Sequence, residues 1–113
     1  MMSSINWKVL VPSKIVENAQ TPQYTATNVT TEIGAVDVTN YSGGAVTISI
    51  NLVTSGDTPG NQNLTIKNKS IAAGATYTFP ELWGQYLMPG DFISTIASAA
   101  TSLNIRISGR ELT

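Results

Sequence analysis

Ala45–Val53, AVTISINLV, is the stretch whose reading decides the fold. Val46, Ile48, Ile50 and Leu52 alternate with Thr47, Ser49, Asn51 and Val53, the period-2 pattern of a strand with one buried and one polar or lightly covered face. Five of the nine residues are β-branched, which favours the extended backbone. SerGlyGly precedes the stretch and SerGlyAspThrProGly follows it, so punctuation agrees with propensity and pattern on a central strand.

Working outward, Thr31–Asn40 reads as a second strong strand whose alternation slips: Ile33 and Ala35 share one parity, Val36 and Val38 the other. A β-bulge near Gly34 reconciles them. AsnTyrSerGlyGly at residues 40–44 then predicts a tight connection, with residues 32–40 and 45–53 forming an antiparallel hairpin. Trp7–Val11 reads as a first, edge strand with Trp7, Val9 and Val11 on one face, limited by Pro12. Residues 13–20 read as irregular, and a short strand, Gln23–Thr27, follows Pro22.

Downstream, residues 55–63 form a long polar loop. Leu64–Ile71 and Ala75–Phe79 resume as strands, the second directing Ala75, Tyr77 and Phe79 inward. Residues 81–88 hold the densest aromatic cluster, and the spacing of Leu82, Trp83, Tyr86 and Leu87 predicts one or two helical turns across an open end of the sandwich. MetProGlyAsp at 88–91 predicts a type II turn. Phe92–Ala97 and the alternating Leu103, Ile105 and Ile107 complete the set, joined by a small-residue hairpin loop at 98–102. About eight short strands without a long helix predict a single all-β domain, an antiparallel β-sandwich of jelly-roll or immunoglobulin-like wiring.

The 113 residues suffice for one core. Charged residues make up 12% and the net charge is −1, which leaves no basic field for nucleic acid or an anionic membrane. In their place stand 15 Thr, 11 Ser and 9 Asn, which suit strand surfaces and turns and allow copies to approach closely. No apolar run approaches the length of a membrane span, and residues 1–10 lack the pattern of a signal peptide, so synthesis in the cytoplasm is expected.

The chain has neither His nor Cys, which removes the usual general base, thiolate nucleophile and most transition-metal ligands. The 7 acidic residues are scattered, with no pair brought together on one element. No enzymatic activity, metal or cofactor is therefore expected. Asp57, Asn61 and Asn63 carry oxygen but lack the pattern of a dedicated calcium loop. Asn-x-Ser/Thr triplets begin at Asn28, Asn40, Asn63 and Asn68 and read as a consequence of composition. The residues singled out for partner binding are Trp7, Val9 and Val11 on the edge strand, and Trp83 and Tyr86, amphipathic aromatics of the kind that anchor interfaces. Trp83 and Tyr86 also suit a plug for the core end, and Lys67, Lys69, Arg106 and Arg110 read as solvated strand faces.

From about Ala26 onward, the hairpin VDVTNYSGGAVTISINLV, the loop SGDTPGN, the stretch SIAAGATYTFPELWGQYLMPGDFISTIAS and the ending NIRISGREL resemble a family of small bacteriophage virion proteins. The matching features include Ala72, Ala73 and Gly74, then Pro80, Glu81 and Leu82, and the pair Gly90 and Asp91. The resemblance implies a β-sandwich subunit present in many copies on a phage particle, as a capsid decoration or cement protein or a neck or tail accessory. Its implied partners are the major capsid protein or another virion protein, together with further copies in a dimer or trimer. Residues 1–25 lie outside the resemblance and are expected as an N-terminal arm and edge strand beside a core of residues 26–113. The alternative is a receptor- or carbohydrate-binding module of a tail or fibre, in which aromatic rings stack on sugars.

Overall fold

A computed structural model describes residues 4–113. Its strands are β1 (Ile5–Ile15), β2 (Thr21–Thr25), β3 (Thr30–Asn40), β4 (Val46–Val53), β5 (Leu64–Ile71), β6 (Thr76–Tyr77), β7 (Tyr86–Leu87), β8 (Phe92–Ala97) and β9 (Leu103–Leu112). One antiparallel sheet runs β1-β9-β3-β6, with β7 also on β3, and the other runs β2-β8-β4-β5. The two pack face to face as the expected β-sandwich.

β4 is an interior strand, and Val46, Ile48 and Ile50 point into the core as their alternation predicts, but the pattern breaks after Ile50: Asn51 and Val53 are buried and Leu52 is only partly so, where the register on β5 shifts. Full burial of each aliphatic side chain stabilises the fold by roughly 1.5–3 kcal/mol before entropy is counted. Opposite them lie Ile33, Val36 and Val38 of β3 and Leu103, Ile105 and Ile107 of β9. The expected bulge is present: β3 advances from Ile33 to Val36 while β9 advances only from Gly109 to Ile107. The backbones crowd there, since a Cβ on Gly109 would lie 2.3 Å from the Glu32 carbonyl oxygen. Glycine is required for that approach.

The pairing pattern has one organising symmetry. With β6 and β7 counted as two pieces of one interrupted strand on β3, the chain folds back about the β4–β5 hairpin, so that β3 pairs with β6 and β7, β2 with β8, and β1 with β9. That is the wiring of a jelly roll, with successive strands alternating between sheets except across the β4–β5 hairpin. It corrects two expectations. β3 and β4 do not form a hairpin but belong to opposite sheets, and so do β8 and β9, so residues 41–45 and 98–102 are corners. At the first corner the Asn40 side chain is buried; its amide donates to the carbonyls of Gly44 and Ile71, and its oxygen accepts from the backbone and hydroxyl of Ser42. These bonds hold the bend that carries the chain across the sandwich.

Three further expectations change. The aromatic segment is not helical: a 3-10 turn at Pro80–Leu82 leads into extended β7, because its backbone finds partners on β3, with Gly84 and Gln85 bonded to Ile33. β1 continues through Ser13–Ile15, into the segment expected as an irregular connection. It also bulges at Leu10, where Val9 pairs with Ser108 and Val11 with Ile107, so Val11 turns inward and leaves the face shared by Trp7 and Val9. Residues 1–3, the start of the expected arm, lie outside the described residues. From Ser4 onward the segment is woven into the fold, with Leu10, Val11 and Val16 in the core and β2 paired to β8. β1 is an edge strand, as its Pro12 suggested. The type II turn is also as read, with Gly90 at φ 92° and the Asp91 N–H donating to the Met88 carbonyl at 2.9 Å.

Candidate functional site

The registers of four successive strands line up one row of side chains. Trp7 on β1 is opposite Arg110 on β9, Arg110 is opposite Glu32 on β3, and Glu32 is opposite Tyr86 on β7. Directly paired residues share a face, and this one points outward, since Trp7 is 71% and Tyr86 57% exposed while Ile33, Ile107 and Leu87 beside them are buried. Three strand spacings separate the two aromatic positions, about 14 Å. Two expected contact residues far apart in sequence are thus brought onto one face of one sheet.

The middle of the row is a held charge pair. Arg110 Nε donates to Glu32 Oε1, and the guanidinium carbon lies 5.1 Å from the centre of the Trp7 ring. The Glu32 carboxylate, with a smaller contribution from the Tyr86 hydroxyl, raises the Arg110 pKa above its ordinary value and so holds its charge. Stacking on Trp7 and pairing with Glu32 restrain a side chain that would otherwise sample many rotamers, which lowers the entropy lost when a partner meets it. The next row adds Ile5, paired to Leu112, and Met88 lies two residues beyond Tyr86; both are exposed.

Of the residues singled out in the sequence, Val9 lies on the outward face and is half-buried, whereas Val11 is core and is withdrawn as a contact residue. Trp83 is 55% exposed beside β3, on the turn that leads to β7, with its indole N–H bonded to the Thr78 carbonyl at 2.8 Å. It is therefore not a core plug; Phe79 and Leu82 fill that role. Arg110 and Glu32 were missed as site residues. Alternation along β9 places Arg110 outward, but only the register places it between two rings.

Elsewhere the polar groups mostly serve the fold. Asp57 accepts from the backbone of Thr58 and from the side chains of Gln62 and Asn63, which lowers its carboxyl pKa and ties its loop together. Among the described residues no three of His, Cys, Asp or Glu gather to hold a metal, and no helix is long and apolar enough to cross a membrane. Asn40 of the triplet at 40–42 is buried and fully engaged. Comparison with family models, with curated proteins and with solved structures finds no match to this chain.

Proposed function

We propose that this chain is a non-enzymatic structural subunit of a bacteriophage virion, a decoration or cement protein that binds a repeating capsid, neck or tail protein surface through the outer face of the β1-β9-β3-β7 sheet. The row Trp7, Arg110, Glu32 and Tyr86 carries the reading. Tryptophan, tyrosine and arginine dominate the anchors of protein interfaces, and here they are presented on rigid strands. Low net charge reduces repulsion between neighbouring copies, and many equivalent contacts on a lattice sum to firm attachment even where each is weak. Jelly rolls serve as viral capsid domains but also as lectins and cupins, so the wiring fits the setting that the sequence resemblance implies without selecting it.

The test is occupancy on purified particles. An anchor of this type contributes about 2 kcal/mol, so Trp7→Ala with Tyr86→Ala should leave the melting transition of the free protein unchanged and cut occupancy at limiting concentration by more than about tenfold. Particles lacking the subunit should lose resistance to heat and osmotic shock. Unchanged occupancy would remove the face from the contact. The same rings, flanking a guanidinium that bonds Glu32 through its Nε, also suit a sugar. Equally robust particles that fail to adsorb to host cells would assign the face to a glycan receptor instead.

A further inference from the structure

Each sheet of a sandwich ends in two edges, and an unprotected edge invites another strand. Three of the four edges here carry protection. β2 has five residues, contains Pro22 and slips register between Pro22 and Tyr24. β5 carries Lys67 and Lys69 and is broken by Asn68 at φ 47°, which shifts its register on β4. The β6 and β7 edge consists of two strands of two residues divided by the Pro80–Leu82 turn. β1 differs. From Ile5 to Val9 it pairs with Leu112 to Ser108 without a slip, its one charged side chain, Lys8, is tied to Glu111 of the neighbouring strand, its Pro12 and its bulges lie beyond that stretch, and among the described residues no strand flanks its other side.

We infer that this free half of β1 is the pairing site for a second copy of the chain, joined antiparallel about a two-fold axis through Trp7. Self-pairing about that residue sets Ile5 opposite Val9 of the second copy and Trp7 opposite its own equivalent, an all-apolar ladder on the outward face. On the other face Lys8 meets Asn6 of the second copy, so no like charges oppose, and Lys8 is already tied to Glu111 at 3.4 Å within its own chain. Centring on Lys8 instead would set two ammonium groups opposite each other, and a slip by one residue would put the rings on the wrong face. The dimer joins the two β1 sheets into one continuous sheet and sets the two aromatic rows end to end. It uses main chain at the edge and sets the two Trp7 rings side by side with their outward surface still exposed, so it stands whether or not that face binds a virion.

Disulfide mapping tests the register, because the chain contains no cysteine of its own. Directly opposed residues lie about 4.5–5.5 Å apart, within reach of a disulfide. Under mild oxidation Trp7→Cys should form covalent dimers at least about tenfold faster than Ile5→Cys or Val9→Cys alone, whose self-equivalents lie about 14 Å apart along the strands. An equimolar mixture of Ile5→Cys and Val9→Cys should cross-link faster than either by itself. All three positions are outward-facing, so folding is expected to survive and is checked by thermal melting. Sedimentation equilibrium of the wild-type chain should show monomer and dimer exchanging with concentration. Equal cross-linking rates for the three variants, or a wild-type chain that stays monomeric at every concentration, would overturn the inference. So would a chain that remains monomeric alone but has its β1 amides protected by a different virion protein.

Discussion

Tyr24 joins the two sheets by a single side chain. It rises from β2, and its hydroxyl donates to Glu111 of β9 and meets the Thr31 hydroxyl of β3 at 2.6 Å. Burial first, and the hydrogen bond to Glu111 second, push the phenol up to about 12 from its ordinary value of 10.0. A pKa raised in the folded state means that stability is fully present below the unfolded value and lost as the phenol ionises. The wild-type chain should therefore lose stability as pH rises between about 10 and 12. Tyr24→Phe cannot ionise there and should flatten part of that fall. At neutral pH it should cost about 1–3 kcal/mol, because the Glu111 carboxylate and Thr31 each lose a partner. Urea melts of both proteins at pH 7, 10 and 11.5 would check the two effects, and identical alkaline slopes would sever the link to this residue.

The corner after β3 is held by one buried side chain. Asn40→Ala would leave the Ile71 carbonyl without its side-chain donor inside the fold and release Ser42, at a cost of about 2–3 kcal/mol, measurable as a lowered urea midpoint with an unchanged m-value. This corner also marks where the sequence ceased to be readable. AsnTyrSerGlyGly satisfies a hairpin and a corner equally well by turn chemistry, and the difference lies in the Ile71 carbonyl, 31 residues away. Features set by near neighbours were legible: the inward face of β4 from Val46 to Ile50, the bulge at Gly34, the Pro89-Gly90 turn and the edge character of β1, whereas Leu52 and Val53 exchanged the faces expected of them. Features set by distant partners were not. Val11 changed faces because of a bulge against Ser108 and Ile107, and residues 84–87 became extended because β3 offered them hydrogen bonds. The candidate site divides the same way. Trp7 was visible as part of an edge strand and Tyr86 as an amphipathic aromatic, whereas their meeting across Arg110 and Glu32 depends on three registers that no local pattern encodes.

At the scale of the whole molecule, the wiring makes the first strand and the last mutually dependent. Jelly-roll pairing joins β1 to β9, so β1 leaves the ribosome long before the strand it pairs with. Such non-local pairing costs loop-closure entropy before any contact offsets it, which predicts folding on the millisecond-to-second scale rather than in microseconds. It also predicts a sharp asymmetry between two truncations of the segment first expected as an arm. Removing residues 1–6 takes away only exposed side chains among those described, and a cooperative melt should survive. Removing residues 1–20 deletes Leu10, Val11 and Val16 from the core and strips one side of β9 of its hydrogen-bonded neighbour. Each of those side chains is worth roughly 1.5–3 kcal/mol when fully buried, and their sum approaches the entire stability of an ordinary domain, about 5–15 kcal/mol. The longer truncation should therefore be unfolded or aggregated, with no cooperative transition in calorimetry and with β9 backbone amides exchanging at the rate of free chain. A soluble 21–113 fragment with a sharp melt would mean that β1 is an accessory to a core complete without it, and the chain would then divide near residue 25 after all.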